Sequence, residues 1–171
     1  MMETRKAIEG RVSIRKFEDR PLSKECIEKL VDAGRLAPSA RAIQPWEFVA
    51  VTDKATLTEL GRIADTGNFI REAACCIAVF CRGTKYYLED GSAATENILL
   101  AVADMNLGAC WVAGDKKPYA EEVAKLLGVP GHVKLVSLIP VGWPAEHPEG
   151  VRRRTLEEVL HWEKYQESKM L

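Results

Sequence analysis

From Pro21 onward the apolar positions change period several times, and each change marks an element. Pro21-Leu22-Ser23 opens a helix: Ser23 stands at a capping position, and Ile27, Leu30, Val31 and Leu36 recur at the spacing of one helical stripe. A residue before proline is pushed out of the helical region, so this helix must fail before Pro38. A shorter amphipathic segment, 4–9, precedes it. Residues 46–51 read as a strand, and Asp53 caps a second helix carrying Leu57, Leu60 and Ile63. Residues 73–81 are apolar almost without interruption, as in a strand buried on both faces.

Residues 90–105 predict a long helix, with Ala93, Ala94 and Ala101 on one side and Ile98, Leu99 and Leu100 nearby. It is apolar nearly all round, which suits a central helix or a subunit interface. Residues 109–113 read as a third strand, Pro118 fits the first turn of a helix ending near Gly128, and 133–141 form a fourth strand. Thr155-Leu156-Glu157-Glu158 has the form of a capping box, opening a terminal helix that carries Leu160, Trp162 and Tyr165. Helices and strands alternate without β-α-β regularity. The pattern therefore predicts an α+β fold, a sheet sandwiched by helices, over a doubly wound one.

Composition narrows this picture without redirecting it. At 171 residues the chain suits one domain, 1–171, around one sizeable core. A net charge of -1 leaves no electrostatic footprint for nucleic acid or an anionic membrane. No apolar run reaches membrane-spanning length, and Met-Met-Glu-Thr-Arg-Lys lacks the apolar region of a signal peptide, so the expected location is cytoplasmic. Five cysteines without regular spacing argue against a disulfide framework; Cys75 and Cys76 fit a buried, reduced strand. With no C-x-x-C pair and three isolated histidines, no metal site is expected.

The chemistry starts from arginine. Arg11-Val12-Ser13-Ile14-Arg15 lies near one end of the chain and Arg152-Arg153-Arg154 near the other. Guanidinium groups fork onto phosphate oxygens, and a serine hydroxyl adds a donor, so the two runs would make one phosphate socket if folding joined them. No G-x-G-x-x-G, Walker loop or G-x-S-x-G occurs, and no carboxylate pair stands out as an acid/base couple. Any reaction is then expected to belong to a cofactor, with no catalytic side chain assigned.

In order along the chain come Arg11-x-Ser13-x-Arg15-x-Phe17, Ala37-Pro38-Ser39-Ala40, Gln44-Pro45-Trp46, and Asn68-x-x-Arg71. Gly108-Ala109-Cys110-Trp111-Val112-Ala113-Gly114, Val141-Gly142-Trp143-Pro144 and Arg152-Arg153-Arg154 follow. This succession, over almost the whole chain, resembles the nitroreductase family of flavoproteins. The resemblance implies a nitroreductase-like sandwich with a central, mainly antiparallel sheet flanked by helices, as an intertwined homodimer with two FMN sites at the interface. It implies that Arg11, Val12 and Ser13, with Arg152 and Arg154, hold the FMN phosphate. Arg15, Asn68 and Arg71 would face the pyrimidine edge of the ring. Pro38, Ser39 and Ala40 would come from the partner subunit, Gln44 would be a further cofactor-binding residue, and the N–H groups of Ala113 and Gly114 would point at flavin N5 and O4.

The activity so implied is hydride transfer from NAD(P)H to flavin, then electron transfer to a small acceptor such as a nitroaromatic or quinone. A flavin carrier or sensor without nicotinamide-dependent turnover is the alternative. Two departures bear on the choice. Many family members have asparagine where this chain has Ala42, and the chain has little between Phe80 and Asp90 and no long insertion after Ala113. An open pocket, or one with a small lid, is the expected result. Single residues keep blander readings beside functional ones: Trp46 as core, Ser13 and Asn68 as turn residues, Trp111 as packing or substrate contact, Tyr86 and Tyr87 as an ordinary loop or an active-site rim.

Overall fold

The computed structural model describes residues 3–150 and 152–167. Its frame is an antiparallel sheet in which β1 (Trp46–Val51) pairs with β2 (Cys75–Arg82), and β2 with β5 (Val133–Gly142). Side chains on a strand alternate between faces, and β2 is apolar on both. Cys75, Ile77, Val79 and Cys81 face α2 (Lys24–Arg35) and α4 (Tyr87–Asp104), meeting Ile27, Leu30, Ala94, Ile98 and Val102. Cys76, Ala78 and Phe80 face α3 (Lys54–Ile63) and α5 (Ala120–Leu126), meeting Leu57, Leu60, Ile63 and Val123. Two cores therefore share one strand, whose residues from Cys75 to Cys81 are fully buried. Trp46 is core, at 8% exposure. Among the described residues no helix is long and apolar enough to cross a membrane.

Local signals account for most boundaries. Ser23 accepts from the Cys26 N–H and caps α2, which ends at Arg35, so Leu36 falls off the stripe and is exposed. Asp53 accepts from the Thr56 N–H at 2.8 Å and caps α3. α1 (Thr4–Gly10) packs across α4. Gly91 lets α4 lie against the sheet: a Cβ there would stand 2.7 Å from Val136 Cγ2 and 3.0 Å from Cys81 Sγ. Where α4 crosses β5, Thr95 and Ser137 are both buried and pair through their hydroxyls at 2.8 Å.

Four expectations need correction. The third strand is two pieces, β3 (Gly108–Ala109) and β4 (Val112–Ala113), both paired with β5 in one register. That register sets Cys110 opposite Pro140, and proline has no N–H to donate, so the ladder breaks there. The long helix starts at Tyr87, not Asp90, which puts Tyr87 in its first turn and Tyr86 at its cap. Pro118 stands two residues before α5, and Gly128 adopts φ 68 just past its end. The capping box of Thr155 and Glu158 forms, but α6 is only Leu156–Val159, and Trp162 and Tyr165 lie beyond it and exposed. A single turn without an apolar surface to pack on is not sustained by its cap.

Burial leaves a titration signature. The thiols of Cys75 and Cys81 are pushed up to about 12 from an ordinary value of 9, chiefly by desolvation, and burial raises Cys76 as well. Above pH 9 the unfolded chain loses thiol protons that the folded chain keeps. The unfolded state then binds fewer protons, so stability is full below that pH and falls as pH rises toward about 12. The urea midpoint should drop across this window, with Cys75, Cys76 and Cys81 resisting alkylation until the protein unfolds; prompt labelling of the folded protein would contradict the packing.

Candidate functional site

The first arginine run lies in an extended segment that adds itself to the sheet's broken edge. The Ile14 N–H donates to the Ala109 carbonyl at 2.9 Å, bridging Ser13 to β3 in parallel. Ile14 and Phe17 bury themselves against Ala73, with Val12 and Phe69 alongside. After β5 the chain runs back along this segment in the opposite direction. Glu18 N–H donates to the Trp143 carbonyl, Ala145 N–H donates to the Lys16 carbonyl, and Phe17 bridges Pro144. Glu146 Oε1 then accepts from the N–H groups of Arg15 and Lys16, at 2.7 and 3.2 Å. At the end of this run a Cβ on Gly150 would stand 3.9 Å from Val12 Cγ1. The return strand thus brings Gly150, two residues before Arg152, beside Val12. Arg152, Arg153 and Arg154 are exposed; Val151 lies outside the described residues.

Arg11 is three-quarters covered, its Nε 3.9 Å from Glu96 Oε1. That is an ion pair without a hydrogen bond, so the guanidinium keeps donors for a ligand. Beside it a cavity of about 370 Å³ opens between the segment and α4, lined by Val12, Ile14, Leu99, Val102 and Asn106. Arg15 sits with its guanidinium carbon 5.9 Å from the centre of the Phe69 ring. Phe69 belongs to a 3-10 turn, Asn68–Glu72, that also presents Asn68 and Arg71, both exposed. Arg11, Val12, Ser13, Arg15, Asn68 and Arg71 are therefore carried on one pair of packed segments.

Ala113 and Gly114 lie along the same edge of β5. The Gly114 N–H donates to the Val136 carbonyl at 2.9 Å, so it is committed to the sheet. Glycine is needed there for packing, since a Cβ would stand 2.5 Å from Leu135 Cγ. The expectation that both N–H groups face outward is corrected for Gly114. In an antiparallel ladder the next pair, Ala113 with Ser137, is then of the unbonded kind, and the Ala113 N–H points away from β5. The Ala113 carbonyl, also turned away from β5, accepts from the Tyr119 hydroxyl, which holds the 113–114 peptide. One outward donor remains where two were expected.

Pro38, Ser39, Ala40 and Gln44 are elsewhere. Their loop sits at the other end of β2, where the Arg82 guanidinium donates to the Gln44 carbonyl at 3.2 Å. With the Arg11 segment near Cys75 and this loop near Arg82, the two are separated by roughly the length of β2, about 23 Å. Arg41, Ala42 and Gln44 all have positive φ, near 50°. Alanine visits that region rarely, so Ala42 stands at a position where backbone conformation matters.

Sequence reasoning missed several residues that shape the site. Glu146 and Tyr119 act on the backbone and leave no motif. Asp90 enters the sequence reading only as the first residue of the long helix. Tyr87, read as loop, donates its hydroxyl to Asp115 Oδ1, and this bond with the neighbouring carboxylate charge pushes the phenol up to about 12.

The nitroreductase family profile matches residues 8–75 and 67–143. A Methanothermobacter thermautotrophicus protein described as an NADH dehydrogenase/NAD(P)H nitroreductase is 34% identical over 96% of this chain and 88% of its own. An FMN-dependent nitroreductase from Clostridium difficile superposes with a TM-score of 0.88 at 26% identity, over 93% of this chain and 98% of that one. The NADPH:FMN oxidoreductase of Vibrio harveyi, solved with NAD+, gives 0.85 at 25% identity, over 96% and 78%.

Glu146 ties the two segments together, so Glu146→Ala should loosen them. Discounted for solvent exposure, the lost bonds are worth about 1 kcal/mol. Urea unfolding should show that loss, and amide exchange should quicken at Arg15 and Lys16 while β2 stays protected; unchanged exchange there would rule out the tie.

Proposed function

The chain belongs to the nitroreductase family, and from that premise we propose that it is an FMN-dependent NAD(P)H oxidoreductase, working as a homodimer with flavin sites at the subunit interface. The observation that carries this reading is the return of the chain from β5 along residues 12–18, which puts Gly150, two residues before Arg152, beside Val12. The donors fit a phosphate monoester: Arg11 with donors to spare, Ser13, Arg152 and Arg154.

Bound FMN would supply the redox chemistry, accepting hydride from the nicotinamide and passing electrons to a small acceptor such as a nitroaromatic or quinone. The chain supplies binding, orientation and charge. Arg15, Asn68 and Arg71 offer cations and an amide to the pyrimidine edge, stabilising the negative charge that reduction places there. Ala113, with its carbonyl fixed by Tyr119, offers its N–H toward N5. Gly114 contributes shape, lying flat against Leu135. No side chain serves as an obligatory acid or base.

Dimerisation is supported by distance. Pro38, Ser39, Ala40 and Gln44 stand at the opposite end of β2 from Arg11, away from the phosphate end of their own chain's flavin site. A partner subunit brings its own flavin to them. The exposed Leu156, Val159, Trp162 and Tyr165 provide apolar surface for an intertwined partner. Five free thiols, four of them buried, suit the reducing cytoplasm.

The phosphate assignment is tested by comparing two ligands. Arg11→Ala with Arg154→Ala should weaken FMN by about two orders of magnitude, the worth of two charged hydrogen bonds, and riboflavin hardly at all. Flavin fluorescence titration measures both. Equal losses for the two would place these arginines away from the phosphate.

A further inference from the structure

We propose that Asp90 is the positioning residue of the 38–44 loop, holding it from the core in the shape with which it meets the partner's flavin; this rests on the flavin reading above. Asp90 is 5% exposed. Of the three buried polar or charged residues found among those described, Thr95 and Ser137 pair with each other, and Asp90 reaches out to the loop. Its Oδ1 accepts from the Ala40 N–H at 2.8 Å; its Oδ2 is buried without a partner. A half-satisfied carboxylate is a poor element of a core, since burial penalises each unpaired oxygen. Its use is at the other end of the bond.

The loop needs holding. Arg41, Ala42 and Gln44 take left-handed backbone angles without being glycine, a conformation that persists only where the surroundings impose it. Several of its bonds are internal: Ser39 Oγ accepts from the Gln44 N–H at 2.9 Å, and the Ala42 and Ile43 N–H groups donate to the carbonyls of Ser39 and Ala40. The Arg82 bond to the Gln44 carbonyl comes from an exposed side chain. At the loop's far end the Pro45 carbonyl accepts from the Arg82 N–H of β2 at 2.9 Å; at Ala40 the tie to something rigid is Asp90, because the next residue, Gly91, is wedged against Val136 and Cys81 and leaves α4 no room to shift. A strained loop pegged to an immobile helix turn is a preorganised wall, which binds at lower entropic cost than a loop that must first find its shape.

Two readouts separate the anchor from the ligand. In the flavin-free full-length protein, Asp90→Ala should abolish amide protection at Ala40 and Gln44 while β2 and β5 stay protected. Asp90→Asn keeps an acceptor and should restore that protection. FMN affinity should fall about tenfold in Asp90→Ala, the worth of one charged hydrogen bond, and stay within about threefold of the parent in Asp90→Asn. Ala40→Pro removes the donor without touching the core and should lose FMN as Asp90→Ala does, which keeps the test valid if the core variant does not fold. Unchanged protection at Ala40 in Asp90→Ala would overturn the anchor. Lost protection with unaltered FMN binding would overturn the loop's service to the flavin, leaving the arginine socket untouched. Equal defects in the Asn and Ala variants would show that charge, rather than the bond to Ala40, matters.

Discussion

The pairing of β2 with β5 is the constraint on which this molecule depends. Both strands are buried on both faces, so helices must cover each side, and the chain divides its apolar residues between two cores sharing one layer. β5 then carries the site on its far edge. Pro140 interrupts that edge opposite Cys110, splitting the neighbouring strand into β3 and β4. The carbonyl of Ala109 stays outward and receives Ile14, and the N–H of Ala113 stays outward for a ligand. Both outward groups belong to the unbonded pairs of the antiparallel ladder, so the alternation of β5's partner strand shapes the place where the arginine segment docks.

Much of the fold was legible because its signals are local. Ser23, Asp53 and Thr155 cap the helices that they precede, and the unbroken apolar run of β2 announced a strand covered on both sides. The misreadings are equally local in origin. A continuous strand over 109–113 ignored what Pro140 would do some thirty residues later, because strand pairing is a property of two segments. The terminal helix was read past Val159 because Leu160, Trp162 and Tyr165 have helical spacing, but spacing holds a helix only when there is a surface to meet.

The candidate site was legible as an ordered set of motifs, not as a geometry. That the chain after β5 returns along the first arginine run follows from bonds between residues 13–18 and 143–146, none of which depends on recognisable side chains except Glu146. Gly114 shows how a motif can be right in position and different in cause: its hydrogen is spent on Val136 and its missing side chain makes room for Leu135. Asp90 and Tyr119, each governing a backbone group at the site, carry no motif at all.

The central claim is that this scaffold holds FMN and lets a reduced nicotinamide reach it. The direct measurement is a visible absorption spectrum of the purified protein loaded with FMN, taken without oxygen before and after adding NADPH or NADH. The account predicts a yellow protein whose flavin bands bleach with the nicotinamide and return when a quinone is added. A protein that stays colourless after incubation with FMN, or keeps its colour under both nicotinamides, would contradict it.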